Sequence, residues 1–239
     1  MRELRQDGLH SLKTIDNGVS TIHRGELRYF MKSYPTTAIL ALLIGLGFLG
    51  NLIGLSPFLA FSGSALLSHP WTILTYPFSW LSPSGFAFLS ALFSMVTLWY
   101  IGRALESRWG SLGWAYFFIV TTFATALWSF VIGISGWGLM TLSEPWIVLG
   151  GAMMLWAWEN PELPLLAYGV FPIKAIYLAL IFVAFEFFQL LSSGFLLACT
   201  ALIPVGIAWL WLRLSRRRGS GRRVYKKEAK KRSYLKRVK

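Results

Sequence analysis

The chain has 239 residues, 55% of them hydrophobic, 16% aromatic and only 14% charged, with a mean hydropathy of +0.56 and a formal net charge of +13. A soluble domain of this size cannot hide so much apolar surface, which excludes a water-soluble enzyme or carrier and makes the chain an integral membrane protein. The single cysteine, Cys199, excludes an intrachain disulfide and a cysteine-based metal cluster, and there is no zinc pattern, phosphate loop or dinucleotide fingerprint, so neither a metal nor a cofactor is expected.

Residues 1–35 mix six basic and four acidic side chains with few large apolar ones, too short and polar for a core of their own, and are expected to form a cytoplasmic arm. The first apolar run, Ala38–Leu55, is followed by no small-residue cleavage pattern and is expected to stay as a membrane helix. Further runs are Gly85–Ile101, Leu112–Ile134, Trp146–Trp158, Ala175–Leu191 and Phe195–Leu212. At about 1.5 Å per residue most of them reach across a hydrocarbon core of about 30 Å. The fourth covers only about 20 Å, a length that suits a helix surrounded by protein, with Met153 and Met154 as core packing. The expected class is all-α: a polytopic bundle of six transmembrane helices over residues 36–212, with a short central fourth helix and a basic, disordered tail at 213–239.

Charge placement predicts the orientation. Six Lys and Arg precede the first run, Arg103 and Arg108 follow the second, Lys174 precedes the fifth and 14 more begin at Arg213. The intervening loops Ser56–Ser84, Ser135–Pro145 and Ser192–Gly194 have none. This is a positive-inside partition, so both termini are expected in the cytoplasm, at the plasma (inner) membrane if the source is prokaryotic. The first loop is uncharged yet rich in aromatic residues and proline, which predicts a segment half-immersed in the membrane interface. In the tail, Arg216, Arg217, Arg218, Arg222, Arg223, Lys226, Lys227, Lys230, Lys231 and Arg232 are candidates for binding anionic lipid or ribosomal RNA, with Tyr225 and Tyr234 able to stack on bases.

Three segments carry a resemblance. "HPWTILTYPFSW" (His69–Trp80, with Trp71, Thr75 and Trp80) is similar to the aromatic first loop of rhomboid proteins. "GRALESRWG" (Gly102, Glu106, Gly110) is similar to their G-x-x-x-E-x-x-x-G junction, and "NPELPLLAYGVFPIKAIYL" (Asn160–Leu178) to their fourth-to-fifth helix connection. The chain thus resembles the rhomboid-like family from about Ala38 to Leu212. At the junction, Gly102 and Gly110 allow close helix approach, and Arg103 and Arg108 are expected to satisfy Glu106.

Active rhomboids are intramembrane serine proteases of the peptidase S54 type, with a serine opening the fourth helix, a histidine on the sixth and an oxyanion-stabilising His and Asn on the second. Counted from Gly102, the latter two fall on Ser90 and Ser94; counted from Gly206, the histidine falls on Cys199. The nucleophile position falls near Ser143–Trp146, eight or more residues after the G-x-S-G of "VIGISGWG" that contains Ser135. A helix begun at Ser135 would hold Pro145 in its interior at a cost of about 3 kcal/mol. Ser135 is therefore expected to end the third helix, with Ser143 as the cap of the fourth and Glu144 in its first turn.

No base is evident for either serine. His10 and His23 belong to the arm, His69 precedes Pro70 in the first loop, and Lys174 sits on the cytoplasmic side. The resemblance therefore implies an inactive rhomboid or derlin-like pseudoprotease, whose partners are the lipid bilayer and the transmembrane segments of client proteins. A divergent protease using Ser135 or Ser143 is one alternative, and a membrane protein recruiting ribosomes or anionic lipid through its tail is another. Within the fifth run, Glu186 and Gln189 are intramembrane polar residues on one helical face. Trp156, Trp158, Glu159 and Glu162 read as an interface anchor with solvated acids.

Overall fold

The computed structural model describes residues 33–63, 66, 68–81, 86–135, 141–167 and 171–215. Most of the expected arm and tail, including the ten tail residues named above together with His10 and His23, lie outside the described residues.

Helix α1 is Pro35–Leu52, entered at Pro35, where a missing N–H costs nothing. Thr37, Leu40, Ile44, Gly47 and Gly50 recur at three- and four-residue spacing and form its buried face. Ile39, Leu42, Leu46 and Leu49 point outward instead, at 53–60% exposure. A helix apolar on both faces is at home with lipid on the outer one.

The described part of the first loop holds α2 (Ser56–Leu59), strand β1 (Phe61–Ser62), α3 (Thr72–Thr75) and a tight turn at Tyr76–Phe78. Tyr76 and Trp80 are fully buried in the core, while Phe58, Trp71, Leu74 and Leu81 are among the residues that project outward. The loop is stitched to itself, with Trp71 Nε1 donating to the Phe58 carbonyl and Thr75 Oγ1 to that of Leu59, both at 3.0 Å.

Helix α4, Phe86–Ile134, is a 49-residue run broken at Gly110, whose φ of 75° and ψ of 164° no helical residue adopts. Its two limbs are residues 86–109 and 111–134. The second limb returns toward the first loop, where the Tyr76 hydroxyl reaches the Thr122 carbonyl at 3.5 Å and Phe78 stacks on Phe118 at 6.1 Å. Strand β2 (Thr141–Leu142) pairs antiparallel with β1, Phe61 opposite Leu142.

Helix α5, Trp146–Glu159, is buried at every residue from Ile147 to Ala157, Met153 and Met154 included. The all-α expectation omits a hairpin of β3 (Pro164–Ala167) and β4 (Phe171–Lys174), which returns the chain to α6, Ala175–Leu191. Helix α7, Phe195–Ser215, tightens at Cys199–Ala201 and crosses α5 where Gly151 leaves room for Pro204.

The molecule is a mainly helical integral membrane protein. Pro35–Leu52, Ala87–Ile134 and Phe195–Ser215 are long and apolar enough to cross a bilayer, and Ala175–Leu191 is a shorter apolar helix. One end of the bundle gathers Arg103, Arg108 and Lys174, and is called the basic end below. The opposite end carries the first loop and the start of α5.

Candidate functional site

At the end away from the basic residues, the start of α5 and the last turns of α6 enclose a cavity of about 250 Å³. That is room for about eight waters or one long polar side chain. Ser143, Glu144, Glu186 and Gln189 supply its polar lining, with Thr141 and Trp146 beside them. Glu186 and Gln189, three residues apart on one face of α6, thus turn toward α5, and Glu186 is half-buried.

Glu144 was not legible as a pocket residue. The helix begins at Trp146, after Pro145 rather than after Ser143, and no side chain caps it. Glu144 is not a first-turn acid: its φ is 68°, and it is the one described non-glycine residue with positive φ. That left-handed conformation is uncommon for a glutamate and is held here by a 2.8 Å bond from its N–H to the Ser79 carbonyl. It brings Glu144 Oε2 to within 3.4 Å of the Ser90 hydroxyl, which also accepts a 2.6 Å bond from Trp146 Nε1.

The rhomboid-derived positions therefore have definite tasks. Ser90 joins Trp146 to Glu144. Ser94, fully buried, donates to the Ser90 carbonyl at 2.8 Å. Cys199 sits in the tight turn of α7, a free and half-buried thiol outside the residues lining this cavity. Ser135 follows the last residue of α4 and donates to the Val131 carbonyl at 2.7 Å.

His69 is the one histidine among the described residues, and its ring lies against Trp71 and Phe58, at centroid distances of 5.0 and 6.2 Å. Lys174 Nζ lies 2.8 Å from Glu162 Oε2, and that hydrogen bond raises its pKa above the usual lysine value, the opposite of what a neutral-amine base needs. Accordingly, the purified protein is expected to give no labelling with a fluorophosphonate probe. Labelling that disappears in Ser143→Ala or Ser135→Ala would show that a base has been missed.

The junction at the basic end is where the second structural motif acts. Glu106 is 3% exposed and accepts four hydrogen bonds other than those its neighbouring arginines were expected to give. Its Oε2 takes the Thr37 N–H at 2.8 Å and the Thr37 hydroxyl at 2.7 Å; its Oε1 takes the Thr36 N–H at 3.0 Å and the Ser111 hydroxyl at 2.6 Å. A carboxylate so placed caps the positive end of α1 and satisfies two of its orphan donors. Gly102, one turn before Glu106, lets α1 approach: a Cβ there would lie 2.9 Å from the Thr37 side chain.

The arginines are engaged elsewhere. Arg108 Nε lies 2.8 Å from Glu159 Oε1, and the Glu159 side chain is only 1% exposed, so Glu159 is not a solvated acid. Glu162, at 79% exposure, is the solvated one. Arg103 lies over the Tyr34 ring, 5.5 Å from its centroid.

No curated protein is a significant match to the chain. A family model does match, over residues 36–229, which takes in all but one of the helices and strands from α1 onward in full and the start of the tail. Its members are eukaryotic, so the prokaryotic plasma membrane drops out as a location. The chain belongs to the family described as eukaryotic integral membrane protein (DUF1751).

Proposed function

We propose that this is a non-catalytic, rhomboid-like membrane protein that crosses the bilayer six times and binds transmembrane segments of client proteins in the cavity between α5 and α6. The observation that carries the reading is the chemistry of that cavity. A hydrolase needs hydrogen-bond donors aimed at a developing oxyanion, with a base beside the nucleophile. Here the corresponding place holds the carboxyl groups of Glu144 and Glu186, which can accept from a donor. A polar or basic side chain in a client helix is such a donor, and interhelical hydrogen bonds in lipid contribute about 0.6–2 kcal/mol each.

Helix length supports the six-crossing reading for α1, α4 and α7. The 48 apolar-helix residues Ala87–Ile134 would extend about 72 Å unbroken, more than twice the hydrocarbon thickness, and the break at Gly110 divides them into two limbs of one crossing each. The α6 helix adds a crossing, and α5 one more from within the protein. The basic end then faces the cytoplasm, with both termini. The tail's attraction for anionic lipid or ribosomal RNA is a proposal from charge alone.

A photoreactive amino acid at Leu190, at the rim of the cavity, tests the client-binding reading in intact membranes. Adducts to transmembrane segments are expected, reduced about fivefold or more by Glu186→Leu, the loss of one or more hydrogen bonds in lipid. Adduct yields unchanged by Glu186→Leu and by Glu144→Gln would remove the cavity as the binding site.

A further inference from the structure

A second and larger cavity, of about 570 Å³, opens at the basic end between the first limb of α4 and the last turn of α5. The client-binding reading makes no use of it. Its size lies within the range of small-molecule sites. Among its lining residues, Arg108 is balanced by Glu159 within the wall. Arg103 forms no ion pair among the described residues, so the wall carries one uncompensated positive charge, flanked by the Tyr34 and Tyr100 rings and Ser107.

The helix leading to it has an amphipathic face of a particular kind. Phe93, Val96, Tyr100, Arg103 and Ser107 recur at three- and four-residue spacing, and all five are exposed. The face is apolar up to Tyr100, whose ring meets Trp156 edge-on at 5.6 Å, and cationic from Arg103 onward. Phe93 to Arg103 is ten residues, about 15 Å of helix, which equals half of a hydrocarbon core of about 30 Å. A lipid acyl chain laid along this face places its phosphate at Arg103.

We propose that this cavity binds the phosphate headgroup of an anionic phospholipid, with Arg103 as the principal contact and the face from Phe93 to Tyr100 holding an acyl chain. Arginine suits this task because its planar guanidinium gives two parallel, charge-assisted hydrogen bonds to a phosphate. The single excess charge selects lipids of net negative charge over zwitterionic ones. This site is independent of the client cavity, which lies at the opposite end of the bundle.

The test uses the full chain in phosphatidylcholine nanodiscs that contain a small fraction of phosphatidylserine with a photoreactive acyl chain, with labelled residues mapped after illumination. Labelling is expected to concentrate between Phe93 and Tyr100, to persist at raised salt that screens tail-held lipid, and to fall about tenfold in Arg103→Gln. Ser107→Trp, which fills the cavity and keeps every charge, is expected to do the same.

A photoreactive phosphatidylcholine that labels this face equally would overturn the proposal, as would labelling unchanged in both variants. Soluble glycerol phosphate added in excess separates the two sources of phosphate. It is expected to leave the labelling intact, and competition by it at low concentration would make the site one for a free phosphate ester instead of a lipid.

Discussion

Glu106→Ala is expected to destabilise the detergent-solubilised protein by about 3–5 kcal/mol, the combined cost of leaving several buried donors without their acceptor. The substitution leaves the Thr36 and Thr37 N–H groups and the Thr37 and Ser111 hydroxyls without their acceptor, and removes the negative charge from the N-terminus of α1. Glu106→Gln keeps one acceptor oxygen but turns the other into a donor facing donors, so its loss is expected to fall between that of Ala and wild type. Ser111→Ala, which removes one bond of the four, is expected to cost about 1 kcal/mol. Thermal unfolding followed by tryptophan fluorescence orders the three. A midpoint for Glu106→Ala no lower than that for Ser111→Ala would mean that the junction does not hold α1 as described.

The second large effect is at Gly47. A Cβ there would lie 1.7 Å from the Phe78 carbonyl oxygen, a backbone atom that cannot rotate away. Gly47→Ala must therefore displace the turn that carries Tyr76 and Trp80, both fully buried, and forfeits part of the burial of two large aromatic rings, each able to cover 150–250 Å². A loss of about 3 kcal/mol or more is expected. Gly206→Ala is the contrast: nothing lies within 4 Å of its Cβ position, so stability is expected to stay level or rise by up to about 1 kcal/mol through helix propensity. The same fluorescence melt reads both, and equal midpoints for the two variants would remove the close approach of α1 to the loop.

These residues also mark what could be read from the chain alone. The apolar runs located the helices because membrane burial leaves a direct trace in hydropathy: the run ending at Ile134 and that of Ala175–Leu191 coincide with the ends of α4 and with α6. The shortness of the fourth run revealed that α5 is enclosed by protein. Glu106 stood out through its glycine spacing, but its partners did not. Arg103 and Arg108 are near it in sequence and point elsewhere on the helix, whereas Thr36 and Thr37 lie about 70 residues away.

Glu159 was equally opaque, since an acid at a helix end looks solvated until another element covers it. Glu144 gave the weakest signal. The residue before a proline is steered toward extended backbone, and nothing in "LSEPW" announces that this one turns left-handed and reaches Ser90. The β1–β2 and β3–β4 pairs were missed because two- to four-residue ladders leave no periodicity to detect.

Client binding without cleavage is tested most directly with the purified full chain in liposomes, together with a single-span reporter that carries one lysine in the outer third of its membrane segment. A matched reporter carries leucine at that position. The lysine reporter is expected to be retained intact in complex with the protein, the leucine reporter to be retained less, and neither to be cut on prolonged incubation. Cleavage of either reporter that is abolished by Ser143→Ala, or equal retention of the two, would contradict client binding without cleavage.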